Sequence, residues 1–156
     1  MEFTLHRSFK DLEPLAVQWN SLLDESVTHV PFLRYEYLQT WWETRGGGEW
    51  PDSELVVVLS WQEGRLAGVA PLFAARNQDG DQALLLLGSI EISDYLDLIV
   101  HSTDLSAFIS GLLDFLGHFG PAGLSVPAPE AQSKPWRVLD WQNLPAASPT
   151  LPVLKA

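Results

Sequence analysis

The chain has 156 residues, no cysteine, and 20 acidic against 9 basic residues, which gives a formal net charge of −11. This length suits one domain with a sizeable core, and the lack of cysteine excludes a disulfide framework, a thiolate nucleophile and a cysteine-based metal site. Because contacts to phosphate need clustered Lys and Arg, the excess of acidic residues argues against nucleic-acid binding. The acidic residues then either form a solvated surface or favour a cationic partner, such as an amine.

The N-terminal sequence MEFTLHRSFK alternates apolar and polar residues and does not resemble a signal peptide. The longest apolar runs are far shorter than the ~20 residues that cross a bilayer. We therefore expect no integral membrane segment and a cytoplasmic location.

The first third of the chain predicts one strand followed by two helices. Residues 2–6 alternate as a strand does, and apolar residues then recur at helical spacing, with Ser8 or Asp11 as the helix cap. Helical spacing resumes over residues 34–45, and the glycines at 46–48 are expected to end that helix.

A three-strand antiparallel meander is predicted next. Residues 54–61 and 65–76 form two strands around a tight turn at 62–64, which contains Gly64. A second turn leads into a short buried strand at residues 84–87.

A polar break interrupts the apolar sequence after this strand. Gly88 and Ser89 end the strand, and residues 95–100 predict another one with its polar position pointing off the core. The break concentrates acids, hydroxyls and an aromatic ring, namely Glu91, Ser93, Asp94, Tyr95 and Asp97.

The rest of the chain predicts a helix, a loop, a strand and the beginning of another helix. Residues 104–119 form an apolar helix, and residues 121–135, rich in Pro, Ala and Ser, form a flexible loop. A strand follows at 136–141. Ser148 then caps a helix that begins at Pro149, and because the sequence stops soon afterwards, residues 148–156 are interpreted as a truncated helix.

This order of elements matches the first part of the GNAT acyltransferase fold, an α/β fold with a mainly antiparallel central sheet flanked by helices. Five segments resemble, more narrowly, the N-terminal half of the CelD-like and FemAB-like acyltransferases. They are PLAVQWNSLLDES (14–26), PFLRYEYLQTWWE (31–43), GRLAGVAPLF (64–73), LLLLGSIEISDYLDLIV (84–100) and VLDWQNLPAASPTL (138–151).

The resemblance implies that residues 1–156 are one GNAT-like N-terminal domain of an enzyme that transfers an acyl group from acyl-CoA to an amine, in envelope or exopolysaccharide metabolism. A second GNAT-like half, missing or on another chain, would hold the acyl-CoA, while this half shapes the acceptor groove. The alternative is a non-catalytic binding or assembly module that pairs with such a half or with itself.

The chain offers no convincing acyl-CoA site of its own. A GNAT fold holds the pyrophosphate on backbone N–H groups at the start of a helix. The nearest loop, residues 45–50, follows a helix and ends in a bulky Trp50. At the place where the fold keeps its phosphate loop, this sequence has the polar break, whose carboxylates would repel phosphate.

The break itself has three interpretations. It shapes a turn through Asp94, with Tyr95 packed and Asp97 exposed; it lines an acceptor groove; or it supplies a catalytic acid or base. For the groove, the candidate substrate-binding residues are Ser93, Asp94, Tyr95 and Asp97, with the carboxylates engaging an amine. A metal site formed by Asp94, Asp97, His101 and Asp104 is disfavoured, because nothing brings them together, and no catalytic residue is assigned.

Overall fold

The computed structural model describes residues 1–48, 50, 52–88, 92–118 and 136–156, with the side chains of residues 45–48 outside the description. The described strands are β1 Glu2–His6, β2 Glu54–Gln62, β3 Arg65–Arg76, β4 Gln82–Leu86, β5 Ile99–Val100 and β6 Val138–Asp140. The described helices are α1 Phe9–Leu12, α2 Ala16–Asp24, α3 Tyr35–Gly48, α4 Leu105–His118 and α5 Thr150–Leu154.

All the described strands join one sheet. Its order is β1-β2-β3-β4-β6, with β5 paired to β3, and only the β4–β6 pair is parallel. The predicted meander is confirmed as β2, β3 and β4. The fold class is also confirmed: a mainly antiparallel sheet flanked by helices.

The hairpin at the centre of the sheet follows from local sequence. Glu63 and Gly64 both have positive φ, as a two-residue hairpin turn with the twist of the strands requires. Residues 55–60 of β2 are all buried, which fits a central strand covered on both faces.

Helices cover the two faces of β3. On one face Gly68 lets α4 approach closely, because a Cβ there would lie 2.6 Å from the ring of Phe108. Phe73 is five positions further on and so faces the other side of the sheet. There it contacts Trp41 of α3, with ring centroids 5.3 Å apart.

The strand beside β3 is interrupted. β4 pairs with β3 up to Leu86, and the N–H of the next residue, Leu87, donates to the carbonyl of Pro71 at 2.8 Å. Further along the same edge of β3, β5 pairs with Val69 and Gly68. Between these points Gly88 and residues 92–98, the described part of an excursion, lie outside the sheet. Pro71 has no backbone N–H. No N–H group of β3 is therefore left without a hydrogen-bond acceptor at Pro71, where the neighbouring strand leaves the sheet.

Several sequence predictions are corrected by these bounds. Residues 95–98 are not a strand, because this stretch lies in the excursion from the sheet and only Ile99–Val100 pairs with β3. α3 continues through Gly48 instead of ending at the glycines, since helical backbone bonds need no side chain, although each glycine costs about 1 kcal/mol relative to Ala.

At the N-terminus, the predicted first helix is divided into α1, a 3-10 turn that contains Pro14, and α2, with Ser8 as the cap of α1. α5 begins at Thr150, one residue later than predicted, and Pro149 is its N-cap residue.

The predicted loop at 121–135 lies outside the described residues, and the domain assignment stays a prediction. Within the described ranges, no helix is long and apolar enough to cross a membrane.

Two tryptophans of this core provide a matched stability test. Trp19 is fully buried and its indole N–H donates to the carbonyl of Leu33 at 2.9 Å. The indole N–H of Trp41 is also buried, but it has no hydrogen-bond partner among the residues that the structure describes. We expect Trp19→Phe to lower the free energy of unfolding by about 2–3 kcal/mol, since the Leu33 carbonyl loses its donor. Trp41→Phe should cost about 1 kcal/mol less, because it also removes an unpaired buried donor. Urea unfolding of both variants measures the difference, and equal losses would contradict it.

Candidate functional site

The described part of the excursion, Gly88 and residues 92–98, is held to the rest of the fold by hydrogen bonds. Ser93 is buried, and its hydroxyl donates to the carbonyl of Gly88 and lies 2.9 Å from the Tyr37 hydroxyl. Tyr37, on α3, also donates to the carbonyl of Ile92 at 3.1 Å. From the C-terminal side, the Asn143 side chain donates to the Ser93 carbonyl at 2.7 Å. The segment is therefore held in a defined position.

Asp97 lies at the inner end of this excursion and is completely buried. Its Oδ1 accepts from the backbone N–H of Leu98 at 2.8 Å and from the Thr150 hydroxyl at 2.7 Å. Its Oδ2 accepts from the hydroxyls of Thr28, at 2.7 Å, and Ser148, at 2.5 Å. Four donors on two oxygens use the full accepting capacity of a carboxylate.

These bonds connect two segments that are remote in sequence. Thr28 belongs to the loop after α2, which runs along the outer edge of β5, where the Val27 N–H donates to the Val100 carbonyl at 3.0 Å. Ser148 belongs to the segment before α5. Because both hydroxyls bind the same oxygen of Asp97, that one carboxylate fixes the distance between the two segments.

An open groove of about 290 Å³ lies between these segments. One wall is formed by residues 27–30, and the other by Pro145, Ala147 and Ser148. Tyr95, in the excursion, completes the lining and is 51% exposed. The groove is therefore built where the interrupted strand and the C-terminal segment meet.

The structure separates the four candidate binding residues into two pairs. Ser93 and Asp97 are buried, and their polar atoms are bonded within the fold. Asp94 and Tyr95 are exposed, and Tyr95 lines the groove. The turn interpretation is wrong in its detail, because Tyr95 is exposed and Asp97 is buried by the C-terminal segment. Glu91 lies outside the described residues.

Sequence reasoning missed most of the groove. His29 is exposed and lines it, but its position after α2 gave no sign of this. Ser148 was singled out only as a helix cap, a role it partly fills, since its hydroxyl accepts from the Thr150 N–H at 3.1 Å.

The residues considered for a metal do not form a centre. Hydroxyl and N–H donors occupy both oxygens of Asp97, and the His101 Nδ1 lies 2.9 Å from the Thr103 hydroxyl. Across the part of the chain that the structure describes, no group of three His or acidic side chains converges on a common point.

Three side chains on β1 and α3 have pKa values displaced by their surroundings. Burial lowers the pKa of His6 and raises the pKa of Tyr35. The pKa of Glu36 is lowered by a hydrogen bond from its own backbone N–H and then by one from the Asn20 side chain. None of these groups lines the groove, so they concern the stability of the fold.

Comparison with known proteins finds a similar solved structure. No family model and no curated protein matches the chain. Among solved structures it is similar to glucosamine-6-phosphate N-acetyltransferase from Arabidopsis thaliana, at 14% identity and a TM-score of 0.35, over 76% of this chain and 77% of that one. The resemblance to GNAT acyltransferases, and the narrower one to CelD-like and FemAB-like enzymes, stay predictions.

Proposed function

We propose that this chain is the acceptor-side, N-terminal domain of a GNAT-type N-acyltransferase, which transfers an acyl group from acyl-CoA to an amine in envelope or exopolysaccharide metabolism. A second GNAT-like half supplies the acyl-CoA, and the cytoplasm is the proposed location. The observation that carries the proposal is the groove whose two walls are joined through one buried carboxylate, Asp97, with Tyr95 exposed beside it.

A fixed groove suits the task of positioning an acceptor. In acyl transfer, the amine nitrogen attacks the thioester carbonyl carbon, the carbon–sulfur bond breaks, and the amine loses a proton as the thiol is released. Holding the amine in the attacking geometry removes much of the entropic cost of bringing two molecules together. The tie between residues 27–30 and 145–148 provides this rigidity, and the chemistry at the thioester belongs to the donor half.

The surroundings of the groove also favour an acceptor over an acyl-CoA. Among the residues that the structure describes, the groove lining contains no Lys or Arg to bind phosphates. The residue that precedes α4, where a GNAT fold binds pyrophosphate, is the carboxylate Asp104. A negative charge at that position opposes a phosphate ligand.

Ligand titration followed by backbone NMR tests whether this chain binds the acceptor amine and leaves acyl-CoA binding to the second half. We expect amines such as tyramine and spermidine to shift the amide signals of residues 27–30 and 145–148, and acetyl-CoA to leave both the spectrum and the melting temperature unchanged. Tyr95→Ala should weaken amine binding and so reduce the shifts at a given amine concentration, because it removes the aromatic lining, while Leu113→Ala, at an exposed position on α4, should not.

Two results would overturn the proposal. Stabilisation of this chain alone by acetyl-CoA would place the donor site here and contradict the acceptor-side assignment. Amine shifts confined to residues outside the groove, or none for any amine, would remove the acceptor site and favour the assembly module.

A further inference from the structure

We propose that the groove selects a cationic amine with an apolar or aromatic body, and rejects anionic and phosphorylated ligands. This inference rests on the proposed function and names the acceptor class. It is carried by three features: the largely apolar lining of the groove, the exposed ring of Tyr95, and the absence of Lys and Arg among the described lining residues, whose one ionisable nitrogen base is His29.

The lining provides apolar contact on both walls. Val27 and Val30 lie on one side, and Pro145 and Ala147 on the other. The hydroxyls of Thr28 and Ser148, which also line the groove, donate their protons to Asp97, so they can offer a ligand only an acceptor oxygen. An ammonium group carries donors alone and matches such acceptors, whereas a carboxylate or phosphate does not.

Charge points in the same direction. The described lining of the groove has no Lys or Arg, and Asp94, next to Tyr95, is exposed. At the end of α2, Glu25 is also exposed, two residues before the wall begins at Val27. The whole chain carries a net charge of −11, so the long-range field adds to the local preference for a cation.

Tyr95 supplies the specific contact for such a ligand. Its ring is half exposed at the groove, and no ring contact of Tyr95 is found among the described residues. An exposed aromatic face attracts an ammonium ion and stacks on a flat apolar body, and contacts of this kind contribute about 0.5–1 kcal/mol at exposed sites.

Four matched ligands test the proposal on the intact chain by NMR titration. They are 2-phenylethylamine, 2-phenylethanol and phenylacetate, which share one body but differ in charge, and ethylamine, which keeps the charge without the body. We expect 2-phenylethylamine to bind about 3- to 10-fold more tightly than 2-phenylethanol, from a cation–π contact and a screened carboxylate. Phenylacetate and ethylamine should be weaker still.

Variants separate the contribution of the Asp94 charge from that of the Tyr95 ring. Asp94→Asn should reduce the preference for 2-phenylethylamine over 2-phenylethanol, and added salt should do the same. Asp79→Asn removes another exposed carboxylate, in the turn after β3, and should leave the preference unchanged. Tyr95→Ala should weaken all three aromatic ligands together.

The outcomes distinguish this inference from the function on which it rests. Equal binding of the three aromatic ligands at residues 27–30 and 145–148, or tightest binding of phenylacetate, would overturn the selection for a cation and leave the groove as a binding site. Absence of groove shifts with every amine would overturn both proposals.

Discussion

Asp97→Ala is expected to lower the free energy of unfolding by about 3–4 kcal/mol, because it removes the acceptor of three buried hydroxyls at once. The lost bonds join the excursion to Thr28 on one side and to Ser148 and Thr150 on the other. The C-terminal segment should therefore loosen before the sheet does. Urea unfolding gives the loss, and hydrogen exchange of the amides of residues 143–154 shows where it begins.

Asp94→Ala is the matched control for this change, since it removes the same side chain three positions earlier from an exposed site. It should alter stability by less than about 0.5 kcal/mol. Asp97→Asn keeps the volume of the side chain and one accepting oxygen, so an intermediate loss is expected. If Asp97→Ala cost no more than Asp94→Ala, the described hydrogen bonds would not be what holds the two segments together.

The parts of the fold that the sequence predicts correctly depend on local patterns. The hairpin between β2 and β3 follows from Gly64 in a two-residue turn and from the apolar strands around it, and α4 follows from its apolar spacing. These signals lie within a few residues of the element that they specify. They therefore need no knowledge of the rest of the chain.

Asp97 shows why the candidate site could not be predicted in the same way. In an alternating strand its side chain would point off the core, but the residues on both sides of it are buried as well. Its hydroxyl partners are 69, 51 and 53 positions away in the sequence. Only the tertiary fold brings Thr28, Ser148 and Thr150 to one carboxylate, so sequence spacing contains no trace of the site.

The interruption of the strand beside β3 did leave a signal in the sequence. Pro71 lies in the middle of β3, where a proline is tolerated only at an edge, a bulge or a gap in the pairing. The proline therefore indicated that a neighbouring strand leaves β3 near this residue. Combined with the polar break after residue 87, it would have predicted an excursion from the sheet in place of a second strand at 95–98.

Gly88→Ala is expected to be nearly as damaging as the loss of Asp97, because Gly88 begins the excursion in a conformation that a side chain cannot share. Its φ is +128°, and a Cβ would lie 2.6 Å from Cδ2 of the buried Leu96 and 2.9 Å from Oγ of Ser93. Backbone strain and overpacking each cost about 1–3 kcal/mol, so we expect a loss of about 3–4 kcal/mol. The Ser93 hydroxyl would also be pushed away from the Gly88 carbonyl that it binds.

Gly80→Ala separates the two contributions, since Gly80 also has a positive φ, +82°, but nothing lies within 4 Å of its Cβ position. It should cost about 1–2 kcal/mol, from backbone strain alone. Thermal and urea unfolding measure both variants, and NMR shifts at Tyr95 and at residues 145–148 report whether the excursion has moved. Crowding by Leu96 and Ser93 predicts a larger loss at Gly88, with those shifts in that variant only. Equal losses without shifts at the groove would mean that the excursion can relax around a methyl group, and that its position does not depend on this glycine.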